Sequence, residues 1–72
     1  MKAKEMRRLL GMARESEMKG WKGLVQADAT LALAGEDRGA VGRAMREAAE
    51  AKGHFKDAAT LLEEVERMGG RE

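Results

Sequence analysis

Few side chains in this sequence have the chemistry of a nucleophile or a general base. The chain has one serine, Ser16, one histidine, His54, and no cysteine. A catalytic triad would need both residues and a carboxylate to converge. Ser16 stands among charged residues on a segment expected to be a solvent-facing helix, which favours a solvated serine. The carboxylates of Glu63, Glu64 and Glu66 form an acidic run without a predicted pocket. We therefore predict that the protein is not an enzyme.

His54 is also the only candidate nitrogen ligand for a metal. Glu50, His54 and Asp57 have i, i+4, i+7 spacing, so a continuous helix would place them on one face, which Glu47 extends. Such a set is suited to Zn²⁺ or to a cation that prefers oxygen. A histidine beside an ordinary charged face is the simpler interpretation, and we predict no metal. The glycines beside Trp21 lack the pattern of a phosphate-binding loop, so we predict no cofactor or small-molecule substrate.

The first third of the chain carries an excess of positive charge. Residues 1–22 hold seven basic and three acidic side chains. A basic patch there would suit nucleic acid, with Trp21, between Lys19 and Lys22, stacking on a base. The isoelectric point of about 8.1 is low for such a domain. We define the basic patch as Lys2, Lys4, Arg7, Arg8 and Arg14.

The sequence indicates that helices carry all of these candidate residues. Proline is absent, and three valines and two threonines give strands little material. Apolar residues recur at alternating steps of three and four, as on one face of a helix. We therefore predict that the core is formed by Ala3, Met6, Leu10 and Ala13, by Leu24, Ala27, Leu31 and Ala34, and by Val41, Ala44, Ala48, Ala51, Phe55, Ala58, Leu62 and Val65.

A glycine-rich turn separates the two halves. We expect Gly35 to cap the first half and Asp37 to be the N-cap of the second.

Two all-α architectures of antiparallel helical hairpins fit this pattern. An interior glycine costs about 1 kcal/mol relative to alanine, so Gly20, Gly23 and Gly53 favour breaks within each half. The preferred prediction is about four short helices, at roughly 3–18, 24–34, 38–52 and 55–68. The alternative is one long, kinked two-helix hairpin that dimerises into a four-helix bundle.

Two Lys-Gly pairs, Lys19-Gly20 and Lys52-Gly53, lie 33 residues apart, a spacing typical of helical-hairpin repeats. The second continues as Gly53-His54-Phe55-Lys56-Asp57-Ala58. Over residues 41–68 the chain resembles a tetratricopeptide repeat, which joins two antiparallel helices by a turn of this form. The microtubule-interacting and trafficking domain shares the pattern. The resemblance implies a protein-binding scaffold without catalytic residues. In this interpretation Gly53 permits a tight reversal and Phe55 fills the wedge between two helices.

Composition limits what the chain can bury. It has 72 residues, 38% of them charged, and 13 of its apolar residues are alanine. A domain of this size gains little from its core, and without cysteine it has no disulfides, so partners are the remaining route to stability. No apolar run is long enough for a membrane span, and the first residues lead into no signal peptide. We expect a cytoplasmic protein of bacterial or phage origin.

We predict that residues 1–72 form a single domain that works as a protein–protein interaction module. It would be an adaptor or regulator that binds a protein partner or itself, as a homo-oligomer. Its expected anchors are Trp21, Leu24, Leu31 and Met45. The alternative is a dimeric regulator that binds nucleic acid through the basic patch. The net charges of residues 1–22 (+4) and 57–72 (−3) favour a fold that brings the termini together.

Overall fold

The computed structural model describes residues 2–34 and 37–70, which form an antiparallel helical hairpin. Helix α1 spans Lys2–Ala34 and helix α2 spans Arg38–Gly70. The described ranges contain no strand, so the all-α prediction is confirmed. The Met6 methyl lies 3.9 Å from the position that a Cβ on Gly69 would take, so the two ends of the hairpin meet as the opposite charges predict. The molecule measures 54 × 14 × 10 Å.

The prediction of four short helices at 3–18, 24–34, 38–52 and 55–68 is wrong. The two-helix hairpin of the alternative is confirmed, and its dimerisation into a four-helix bundle stays a prediction. Helix α1 continues through Gly20 and Gly23, and α2 continues through Gly53, so neither half reverses. Two continuous helices do not themselves show tetratricopeptide repeats, and that resemblance stays a prediction. The helices persist because their buried faces keep one phase along their whole length, and tertiary packing overrides the local cost of glycine.

The interface between α1 and α2, which we call the seam, follows a heptad spacing. Residues with low exposure recur at alternating steps of three and four on both helices, as in an antiparallel coiled coil. Most of them are small. On α1 the seam consists of Met6, Leu9, Ala13, Ser16, Gly20, Gly23, Ala27 and Thr30, and on α2 of Ala40, Ala44, Glu47, Ala51, His54, Ala58, Leu61, Val65 and Met68.

Glycine lets the two helices approach closely at the middle of the seam. A Cβ on Gly23 would lie 3.0 Å from the Ala51 Cβ and 3.4 Å from the Glu47 carbonyl oxygen. A Cβ on Gly20 would lie 2.8 Å from the Phe55 ring. The missing side chains therefore make room for the backbone and β-carbon of α2, which explains why glycine is tolerated inside α1.

The stripe of residues that the sequence predicts for the core differs from the seam. At many of the predicted positions, the residue that lies in the seam is the one that directly precedes the predicted residue. The buried apolar residues of the described chain are Leu9 and six alanines. Ala13, Ala27, Ala44, Ala51 and Ala58 belong to the predicted stripe and are buried, whereas the larger members of that stripe are at least partly exposed. The prediction chose the larger side chains because they are more hydrophobic. The two helices approach so closely, however, that mainly small side chains fit between them. The larger members that lie outside the seam are Leu10, Leu24, Leu31, Val41, Phe55 and Leu62. Ala3 and Ala48 are also exposed, whereas Met6 and Val65 are half-buried in the seam.

A polar contact interrupts the apolar seam. The Thr30 hydroxyl donates a hydrogen bond to a Glu47 carboxylate oxygen at 2.9 Å. Both side chains are half-buried, and each supplies the polar partner that the other requires away from bulk water. The contact fixes the register of the two helices near the turn.

Asp37 caps the start of α2, as predicted. Its carboxylate oxygen Oδ1 accepts hydrogen bonds from the backbone N–H groups of Gly39, at 2.7 Å, and Ala40, at 3.3 Å. Its carbonyl oxygen accepts from the N–H of Val41 at 2.9 Å. The cap therefore satisfies N–H groups that lack partners inside the helix. The predicted cap at Gly35 lies outside the described residues.

Leucine should have opposite effects on the free energy of unfolding when it replaces Gly53 and when it replaces Gly23. A Cβ at Gly53 meets nothing within 4 Å. Gly53→Leu should therefore raise the free energy of unfolding by about 1 kcal/mol through helix propensity. Gly23→Leu should lower it by about 1–3 kcal/mol, because the helices must separate. Urea unfolding followed by circular dichroism measures both. Equal effects at the two positions would show that α1 and α2 do not touch at Gly23.

The cap at Asp37 predicts a second stability change. Asp37→Ala should lower the free energy of unfolding by about 0.5–2 kcal/mol, because two N–H groups lose their acceptor. Asp37→Asn keeps an acceptor oxygen and should retain most of the stability. Thermal unfolding of the three proteins makes the comparison. An alanine variant as stable as the aspartate form would refute the capping role.

Candidate protein interface

One broad side of the hairpin is lined with large apolar residues. On both helices these residues follow directly after seam positions, and in an antiparallel pair such positions point to the same side. We call this side the apolar face. Its apolar members are Leu10, Trp21, Leu24 and Leu31 on α1 and Val41, Met45, Ala48, Phe55 and Leu62 on α2. Charged residues also follow seam positions and lie among them on this side: Arg7, Arg14, Glu17, Asp28, Lys52 and Glu66.

The four predicted anchor residues all lie on the apolar face and are exposed. The exposed fraction is 62% for Trp21, 39% for Leu24, 43% for Leu31 and 68% for Met45. The sequence analysis assigned the other members of the face to the core. The sequence did contain a sign that they form a second surface, because α2 carries two adjacent apolar stripes and a contact with α1 requires only one of them.

An aromatic pair joins the two helices across the apolar face. The rings of Trp21 and Phe55 meet edge to face, with centroids 6.4 Å apart and planes at 86°. Phe55 also covers Gly20, so its ring is half-buried while Trp21 remains open to solvent. The pair is a rigid apolar platform near the middle of the hairpin.

The opposite side of the hairpin is charged. On it the Arg8 guanidinium donates hydrogen bonds to Glu5, and Arg67 forms an ion pair with Glu64 at 3.2 Å. We call this side the charged face. It includes Glu5, Arg8, Glu15, Lys19 and Lys22 on α1 and Arg43, Arg46, Glu50, Asp57, Glu64 and Arg67 on α2. The hairpin is therefore two-sided.

The structure brings part of the basic patch together and separates the rest. Helical rotation places Arg7 and Arg14 toward the apolar face and Arg8 on the charged face. Lys19 and Lys22 flank Trp21 in sequence but lie on the opposite side of α1. Lys4, Arg7 and Arg8, with Ala3 and Glu5, line an open hollow of about 850 Å³ beside the first turns of α1.

The candidate catalytic and metal-binding residues are divided between two surfaces, because Ser16, Glu47 and His54 lie in the seam whereas Glu50 and Asp57 lie on the charged face. Ser16 is half-buried in the seam, so its expected place on a solvent-facing surface is wrong. His54 is also half-buried there. Residues 2–34 and 37–70 contain no group of three or more histidine, cysteine, aspartate or glutamate side chains that could hold a metal ion.

No protein-family model matches the sequence, and no curated protein or solved structure is significantly similar to it. Within the described residues, neither helix has a stretch that is both long enough and apolar enough to cross a membrane.

The Glu5–Arg8 contact predicts a measurable pKa change. The hydrogen bond from Arg8 holds the pKa of the Glu5 carboxyl below its ordinary value. Because the folded pKa is lowered, the contact stabilises the fold above the unfolded pKa, and this contribution is lost as pH falls through the folded pKa. In an NMR titration, Arg8→Gln should return the Glu5 pKa toward the ordinary value. An unchanged pKa would show that the contact is not formed in solution.

Proposed function

We propose that this protein is a non-enzymatic protein–protein interaction module, an adaptor or regulator that acts in the cytoplasm and docks through its apolar face. The observation that carries the proposal is the placement of its large apolar side chains. The seam buries Leu9 and alanines, while Trp21, Leu24 and Met45 are exposed on one side.

The cost of leaving these residues exposed supports the proposal. A fully buried leucine, methionine or phenylalanine side chain contributes about 1.5–3 kcal/mol relative to an exposed one, and this hairpin forgoes much of that gain. Contiguous exposed apolar surface on a small protein marks an interaction site. Tryptophan and methionine suit such a site, because an aromatic ring forms a rigid anchor and a thioether adapts to its partner.

Nucleic-acid binding has less support. The residues of the basic patch point in several directions around α1, and Arg8 already donates hydrogen bonds to Glu5. The acidic residues Glu63, Glu64 and Glu66 lie at the same end of the hairpin and oppose the field of the patch. A phosphate backbone would meet mixed charge along this surface.

Photo-crosslinking in the producing cell tests the proposal. A photoreactive phenylalanine analogue replaces Met45 on the apolar face or, as the matched control, Val25. The exposed fraction of Val25 is 65%, close to that of Met45, but Val25 lies on the outer side of α1, away from the seam. The probe at position 45 should form defined protein adducts whose linked peptides are identified by mass spectrometry, and the probe at 25 should not.

The identity of the adduct does not affect this test. A linked peptide from another copy or from a different protein supports docking through the apolar face. Equal labelling at positions 25 and 45, or no adduct at either, would contradict the proposal.

A further inference from the structure

We infer that the occupant of the apolar face is a second copy of this chain, packed face to face to make a four-helix assembly with both turns at the same end. The inference rests on the proposed function, because it names the partner of the same surface. Three independent features of the hairpin support it: its area, its charge pattern and its shape.

The hairpin has the surface of a half-completed fold. Its accessible surface is 5749 Å², whereas a compact monomer of its mass would expose roughly 4,400 Å². Its radius of gyration is 16.3 Å, against roughly 11 Å for a compact chain of this length. The Cα atoms extend over 54 Å by 14 Å on one broad side. That projected area of roughly 750 Å² is of the same order as the ~800 Å² of accessible surface that each partner buries in a stable interface. A second copy matches that length and width by construction.

Contacts across the seam show which residues of α1 and α2 are level, that is, lie at the same height along the hairpin. Met6 is level with Gly69, Gly20 with Phe55, and Gly23 with Ala51. It follows that Arg7 is level with the turn of α2 that holds Glu66, and that Trp21 is level with the turn that holds Lys52.

A two-fold axis parallel to the helices would lay α1 of one copy on α2 of the other at equal levels. Arg7 then meets Glu66 of the second copy, and Trp21 meets Lys52, so that opposite charges and a cation–π contact border the apolar face. If the turns lay at opposite ends, α1 would pack against α1 of the second copy, and the midpoints of the two helices would lie together. That arrangement brings Arg7 to Asp28 of the second copy, but it also places the two Glu17 carboxylates together at the centre of the interface, and this like-charge contact disfavours it.

The shape of the apolar face fits the same arrangement. Ala48 is the smallest residue in the middle of the face, and its level lies between those of Leu24 and Leu31 on α1. In the face-to-face pair, Ala48 of one copy therefore leaves a space opposite two leucines of the other. Large side chains opposite small ones interdigitate as they do in helix bundles.

Sedimentation equilibrium of the purified full chain tests the inference. The native protein should have twice the 7.9 kDa chain mass. Leu24→Glu should raise the dissociation constant by about 30-fold or more, because it places a charge in the interface. Val25→Glu makes the same charge change one residue away on the outer side of α1 and should remain dimeric. Circular dichroism checks that both variants stay helical.

Cysteines at the border of the apolar face test the orientation of the two copies. The chain has no cysteine, so Arg7→Cys and Glu66→Cys variants can be mixed and oxidised. The mixture should form a disulfide-linked heterodimer. Arg7→Cys mixed with Asp28→Cys should not, because those positions approach only when the turns lie at opposite ends.

The outcomes separate this inference from the proposed function. A native protein that is monomeric at millimolar concentration, or a Leu24→Glu variant as dimeric as Val25→Glu, would overturn the second copy as the partner. Photo-crosslinks from position 45 to a different protein would leave the proposed function standing in that case. A preferred disulfide between positions 7 and 28 would overturn the same-end arrangement.

Discussion

The close approach of α1 and α2 at Gly23 and Ala51 is the constraint from which the rest of the structure follows. A Cβ on Gly23 would lie only 3.0 Å from the Ala51 Cβ, so the seam admits glycine and alanine and excludes larger side chains at this level. Leucine is buried only toward the end of the hairpin, at Leu9. The large apolar residues of the middle turns therefore lie outside the seam. Most of them share one side, whereas Met18 and Val25 are exposed on the outer side of α1.

The two sides of the hairpin consequently differ in what they can bind. The charged face satisfies itself through neighbouring pairs such as Glu64 and Arg67, which are solvated and contribute little to specificity. The apolar face has no such local satisfaction. The aromatic contact between Trp21 and Phe55 leaves the indole largely exposed. The two sides therefore differ in charge and in the size of their exposed apolar side chains, and the apolar face is the side through which we propose that the protein docks.

Periodicity in the sequence predicted the all-α class, the antiparallel hairpin, the cap at Asp37 and the exposure of residues such as Met45. It did not predict the continuity of the helices, because the cost of Gly20 or Gly53 is local while the packing that overrides it is distributed over the seam. It also placed Leu10 and Phe55 in the core, since hydropathy ranks side chains by size and polarity. Which of two adjacent stripes is buried depends on the distance between the helices, and that distance is set by small residues on both of them at once.

An isotope-filtered NOE measurement on a mixture of labelled and unlabelled chains, observing the single tryptophan, tests the face-to-face dimer most directly. The Trp21 indole protons should contact Phe55 within their own chain and the Lys52 methylenes of the second copy. An indole whose only contacts at millimolar concentration lie within its own chain would contradict it.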